Sequence, residues 1–367
     1  MQQNDLFFTL ALLQVEGIGD VISKRLLQNF DTAEEVFKAK KTTLAKIDGV
    51  GKLLIENLKN PSVFQKAEKE LFFLEQEKIK VLFYKDDIYP ERLKHCFDAP
   101  VILFQSGNVE MKQQKLISIV GTRKMTTYGS DFTRRFIEDL APLNPTIISG
   151  FAYGVDILSH QMAMDHGLQT IGVLAHGLNQ IYPKNHKRYM VKMEQKGGFL
   201  TEFWTHTKPD RENFVKRNRI VAGISEAIIV IESAEKGGSL ITAQIANDYN
   251  REVFAVPGRA GDKYSQGCNH LIKTQRAQLL TSAADLVYML NWEVKKKEPK
   301  PVQKQLFVSL TPEEQKVYDF LFRNGREHLD SLSQICGIPV FKLSGILLNM
   351  ELKGVVKPLP GKSFEAI

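Results

Sequence analysis

Four short segments carry the residues whose types and spacing could do chemistry. They are Val120-Gly121-Thr122-Arg123-Lys124, Ser149-Gly150-Phe151-Ala152-Tyr153-Gly154-Val155-Asp156, the run from His176 through Pro183-Lys184-Asn185, and Gly237-Gly238-Ser239-Leu240-Ile241-Thr242-Ala243. Each sets glycine near a cation or a hydroxyl. Glycine lets the backbone approach a ligand, and the unpaired N–H groups at a helix start attract an anion. Gly237-Gly238-Ser239 opening a helix makes a nest of amides, and the Ser239 hydroxyl can either cap that helix or reach the anion. The natural ligand is a phosphate, in a mononucleotide or in a polymer backbone. Lys184 follows Pro183, which stiffens the turn that presents it.

Between Lys184 and Arg219 there are ten basic and four acidic residues, so this stretch attracts rather than repels a polyanion. Its densest part is Phe214-Val215-Lys216-Arg217-Asn218-Arg219. An aromatic ring among cations suits a single nucleic-acid strand, whose bases stack while its phosphates pair. The competing reading is an exposed helix face, because Phe214, Arg217 and Arg219 cannot all share one side of a helix.

Other chemistries lack their residues. Asp156 and His160 stand four apart, a spacing that could put two metal ligands on one helix face. Asp156 is better explained by the dipole of its first helical turn, and His160 by local packing. No metal is expected. The patterns GxxxxGK[ST], GxGxxG, HExxH and GxSxG are all missing, so no P-loop, nicotinamide cofactor, zinc-protease or serine-hydrolase site is supported, and no cofactor is expected. The three cysteines, Cys96, Cys268 and Cys336, form no CxxC pair, which fits a reducing, cytoplasmic setting.

The 367 residues suggest two or three domains, and the net charge of +7 is unevenly placed. Residues 106–290 carry +5 and 291–305 carry +3, against −1 for 1–105 and zero for 306–367, so a polyanion belongs to the middle of the chain. There, eight apolar or β-branched runs alternate with helical stretches: Lys80–Tyr84, Val101–Gln105, Leu116–Val120, Thr146–Ser149, Thr170–Leu174, Ala227–Ile231, Glu252–Val256 and Gln278–Thr281. The pattern predicts an α/β domain over 79–290 with a mainly parallel, doubly wound, Rossmann-like sheet, whose strand-end loops would hold the four segments above.

Residues 1–78 read as a helical domain. Two turns in it, Val15-Glu16-Gly17-Ile18-Gly19 and Ile47-Asp48-Gly49-Val50-Gly51, resemble helix-hairpin-helix motifs, with a plain helical bundle as the alternative. The apolar run Leu6–Leu13 has no basic segment before it and reads as a core helix rather than a signal peptide. No stretch approaches the ~18 apolar residues of a membrane span. Residues 291–305 read as a charged linker. Residues 306–367 read as a winged-helix-like domain that starts at Thr311-Pro312-Glu313-Glu314. Its candidate recognition helix, Val340–Glu351, has Lys342 as its one cation, which suits a protein-docking or structural module better than a grip on DNA.

Taken in order, these motifs resemble the DNA-processing protein A (DprA/Smf) family. The residues that carry the resemblance are Tyr89-Pro90, Pro100–Leu103, Val120–Arg123, Tyr128-Gly129, Ser149–Asp156 with His160, Gly177-Leu178, Tyr182-Pro183, Glu202-Phe203, Phe214–Ile220, Gly238–Ala243, Arg251–Gly258 and Asn269–Ile272. They span roughly 85–285. The resemblance implies an extended Rossmann-like domain that binds single-stranded DNA without sequence preference. It also implies a homodimer that delivers the strand to the RecA recombinase in natural transformation. By motif, Arg123, Lys184 and Arg217-Asn218-Arg219 would hold phosphates. Gly121, Thr122, Ser149, Gly150, Asn185, Phe214, Gly237, Gly238, Ser239 and Thr242 would complete the groove. Two departures are Gly237, where the family usually has Ser, and Thr274-Gln275-Arg276-Ala277, where a Gly-Ala pair is usual.

A second reading is an enzyme. The glycine nest also resembles that of Rossmann-like phosphoribohydrolases, with Glu202 or Glu232 as the catalytic carboxylate. A third is an adaptor that binds neither ligand.

Overall fold

The computed structural model describes residues 3–112, 115–292, 309–359 and 362–367, in two compact units, Met1–Val294 and Lys295–Ile367. Most of the expected 291–305 linker lies outside the described residues.

A nine-stranded sheet organises the first unit. Its strands are β1 (Lys80–Phe83), β2 (Ile102–Gly107), β3 (Leu116–Val120), β4 (Thr146–Ser149), β5 (Thr170–Val173), β6 (Gly197–Thr201), β7 (Ala227–Val230), β8 (Glu252–Ala255) and β9 (Gln278–Leu279). They lie in the order β1-β2-β6-β5-β4-β3-β7-β8-β9. From β6 to β9 every pairing is parallel, while β1–β2 and β2–β6 are antiparallel. The eight expected strands are all present. Helices cover both faces, which is why the central strands are apolar throughout rather than alternating. Along β7, Ile228 and Val230 join one core while Ala227 and Ile229 join the other, the period of two that a strand imposes.

The ninth strand, β6, has a sequence that disguises it. Gly197-Gly198 opens it, and glycine is depleted in strands. Here it is required by space. A Cβ on Gly197 would meet the Thr170 carbonyl oxygen, and one on Gly198 the Ser106 carbonyl oxygen.

The N-terminal helices pack onto this sheet rather than apart from it. Leu10, Leu26, Val36 and Ala67 share a core with Val101, Ile102 and Phe104. Asp20 accepts from the Val101 N–H at 3.0 Å, and the Glu70 carboxylate accepts from the Thr205 N–H and hydroxyl at 2.9 Å each. The two glycine turns are near copies. Gly17 and Gly49 adopt φ of 84° and 83°, a region open to glycine, and Gly19 and Gly51 then cap the helices Asp20–Asn29 and Lys52–Asn57 in extended conformation.

The second unit has helices Pro312–Asn324, Leu329–Cys336 and Val340–Leu352 and a three-stranded sheet, Glu327–His328, Ser363–Ala366 and Val356–Leu359. This is the expected winged-helix arrangement. Thr311 and Glu314 form a reciprocal capping box with Pro312 at the first helical position, as their order predicts. Among the described residues no single helix is long and apolar enough to cross a membrane.

Candidate functional site

After β3 the chain builds β4, β5 and β6 to one side, then crosses to place β7 on the other side of β3. The loops that leave β3 and β7 therefore diverge, and a crevice opens at the strand ends between them. A cleft of about 560 Å³ occupies this position.

Eleven of the expected residues line it: Gly121, Thr122, Arg123, Gly150, Phe214, Arg217, Asn218, Gly237, Gly238, Ser239 and Thr242. The loop after β3 is fixed to the end of β7 by Thr122 N–H donating to the Glu232 carbonyl at 2.8 Å. Phe214 and Arg217, three apart on the helix Arg211–Ile224, face the cleft together. The Phe214 ring lies 5.3 Å from the Arg123 guanidinium, 5.9 Å from that of Arg217 and 5.7 Å from the Tyr182 ring. A half-exposed aromatic face thus sits among two cations and a second ring.

Arg217 is buried, and its Nη1 donates to the Gly150 carbonyl at 2.6 Å and to that of Val173. Burial pulls its pKa down to about 10, opposed by the nearby Asp156 carboxylate, so it stays charged at neutral pH. Asp156 is itself pushed up by burial and held down by Arg217 and by the Ala152 N–H. Phe151, between Gly150 and Ala152, has φ of 59° and is almost wholly buried, packed against Phe199, His186 and His160 at 5.0, 5.2 and 5.8 Å. A phenylalanine held in the left-handed region marks backbone strain beside the site.

Four expected residues lie elsewhere. Arg219, two residues past Arg217, is turned to the reverse side of the helix, where it pairs with Glu202 and Asp20 and donates to the Asp98 carbonyl. It is a buried brace and not a phosphate ligand. Ser149 is fully buried and its hydroxyl donates to the Ile119 carbonyl at 2.6 Å. Lys184 and Asn185 are exposed on a short turn just past Tyr182, outside the cleft wall. Ser239 is in the wall, but its hydroxyl donates to Ser233 Oγ at 2.9 Å. The cap of that helix is Gly237, so the backbone amides rather than the hydroxyl remain for an anion.

Two cations in the wall lie outside the sequence motifs: Arg211, at the start of its helix, and Lys236, beside the glycine pair. Their only signal is position next to a motif. Both are exposed, as is Arg123, and none of the three forms an ion pair among the described residues.

The carboxylates of the enzyme reading are committed to the fold. Glu202 is tied to Arg219 and to Lys216. Glu232 accepts from the Thr126 N–H at 2.9 Å and from its hydroxyl. Neither lines the cleft. His160 Nδ1 lies 2.7 Å from Thr170 Oγ1, and no cluster of three metal-ligating side chains occurs among the described residues.

Comparison with known proteins agrees with this architecture. Residues 80–291 match the model of the family described as DNA recombination-mediator protein A, 299–362 match the DprA winged helix domain and 9–60 match a SAM-like helix-hairpin-helix tandem. Protein Smf of Synechocystis sp. is 35% identical over 280 residues, covering 74% of this chain and 69% of that protein. The X-ray structure of DNA processing protein A from Streptococcus pneumoniae aligns with a TM-score of 0.62 at 30% identity, covering 78% of this chain and 98% of that one. A structure of DNA processing protein A from Helicobacter pylori, described for its single-stranded DNA binding mode, aligns with a TM-score of 0.53 at 27% identity over 58% of this chain and 96% of that one. With its cleft at the switch point and its three matched segments in order, the chain belongs to the DNA recombination-mediator protein A family, the DprA/Smf proteins.

Proposed function

We propose that this chain binds single-stranded DNA, without sequence preference, in the cleft between the ends of β3 and β7. The observation that carries the reading is the Phe214 ring set among Arg123, Arg217 and Tyr182. A base stacks on a ring of any neighbour sequence, and the exposed Arg123, Arg211 and Lys236 meet phosphates. The amides at the start of the helix Gly238–Asp248 donate to one more. In this reading the protein acts in the cytoplasm as a homodimer that processes incoming DNA during natural transformation and loads the RecA recombinase onto it. The cleft does no catalysis.

A salt titration with single- and double-stranded oligonucleotides tests the first part. Single strands bind more tightly, and log affinity falls linearly with log salt. Equal binding of both forms, or affinity indifferent to salt, overturns it. Recombinase filament growth on single strands, followed with and without this protein, tests the loading role; an unchanged nucleation rate removes it.

A further inference from the structure

A second cleft, of about 940 Å³, opens on the other side of the loop that follows β3. The two clefts are lined by neighbouring residues of the same two segments. Thr122 and Arg123 line the first, and Thr126 and Tyr128 line the second. At the end of β7, Ser233 belongs to the first and Glu232 to the second. The ridge between them is therefore one strand end and one short loop. It is held by Ser233 N–H donating to the Tyr264 carbonyl at 2.7 Å and Gly267 N–H donating to the Ser233 carbonyl at 2.9 Å.

The far wall is the segment Gly258-Arg259-Ala260-Gly261-Asp262-Lys263-Tyr264 after β8. Arg259 and Lys263 are exposed and form no ion pair among the described residues, and Asp262 is the single acidic residue of the segment. Facing them is Tyr128, whose hydroxyl donates to the Pro257 carbonyl at 2.7 Å while the residue remains 46% exposed. Its polar end is satisfied and its ring is held open to solvent, a fixed platform for a flat apolar face. Tyr264 adds a second ring, with Lys263 Nζ 5.9 Å from its centre. The Glu232 carboxylate in this wall accepts from the Thr126 N–H and hydroxyl.

We infer that the second cleft is an extension of the first, and that the same DNA strand crosses the ridge to stack a base on Tyr128 and pair phosphates with Arg259 and Lys263. This rests on the single-strand reading of the first cleft and adds a second set of contacts to it. It makes the occluded site longer than the first cleft alone requires.

The test is the length dependence of affinity, read by fluorescence anisotropy with oligothymidylates of about six and about fifteen nucleotides, both within the range of single-strand site sizes. The intact chain binds the longer one more tightly. In R259A/K263A the short oligonucleotide binds as before, the long one loses about ten-fold, and its salt slope falls by about 1.4, the value for two single-strand phosphate contacts. R123A weakens both lengths. If R259A/K263A binds both lengths as the intact chain does while R123A weakens them, the extension is wrong and the first cleft stands. If R123A leaves both lengths unchanged, the first-cleft reading falls, and the extension with it.

Discussion

Arg217 occupies the space that a side chain on residue 150 would need: a Cβ there would lie 2.6 Å from its Nη1 and 2.7 Å from its Cζ. The guanidinium is buried and donates to the Gly150 carbonyl, so the clash has no flexible end to relieve it. Gly150→Ala is expected to destabilise the protein by about 1–3 kcal/mol, the usual cost of overpacking, and to weaken DNA binding as Arg217 is displaced. Denaturant midpoints and anisotropy titrations on the same variant check both effects.

Arg123 and Lys236 are exposed, so their loss should spare the fold. Arg123→Ala and Lys236→Ala should each weaken single-strand binding by about 1–3 kcal/mol, as for a charge-assisted hydrogen bond, with melting temperature unchanged. Phe214→Ala should cost a similar amount, about 1–3 kcal/mol for one stacked base, and should leave the salt slope in place. A fall in slope with Phe214→Ala would reassign its role.

Arg219 should behave in the opposite way. Its partners are Glu202 and Asp20, and removal leaves the buried Glu202 carboxylate with the more distant Lys216, 3.5 Å away, as its remaining cation among the described residues. Arg219→Ala should lower stability by about 3–5 kcal/mol. At temperatures where the variant is folded, its DNA affinity should match that of the intact chain; a native melting temperature with lost affinity would return Arg219 to the cleft.

His160 sets an acid limit. It is fully buried, its Nε2 has no partner among the described residues, and burial with the nearby His186 lowers its pKa to about 3. The unfolded chain titrates near 6.5, so below that pH it binds the proton that the folded chain refuses. Stability is therefore full above about pH 6.5 and declines as pH falls towards about 3, by up to about 1.4 kcal/mol per unit from this group alone. Burial lowers His176 and His186 as well, in the same direction. Unfolding midpoints at pH 8 and pH 5 should differ accordingly, and His160→Gln should flatten the dependence.

The strands were legible because burial on both faces leaves a run such as Leu116-Ile117-Ser118-Ile119-Val120 almost no polar residue. Strand β6 escaped because its fit depends on neighbours. Gly197 and Gly198 are explained by the oxygens of Thr170 and Ser106, which no local pattern reveals. In the cleft, glycine motifs foretold the loops because backbone approach has a sequence signature. The cations divided by orientation instead. Helical periodicity separates Arg217 from Arg219 once the helix is known, whereas the burial of Ser149 and the outward turn of Lys184 follow from tertiary packing. Arg211 and Lys236 lie in no motif, and only the closing of the sheet brings them to the rim.

The matching dihedrals of Gly17 and Gly49 make the two N-terminal turns a repeated unit, and the residue after each capping glycine shows how the copies have parted. In the first that residue is Asp20, clamped to Val101 and Arg219 and thereby bolted to the sheet. In the second it is Lys52, which points its charge into water. One twin is anchored to the rest of its unit, and the other leaves its helix start open to solvent.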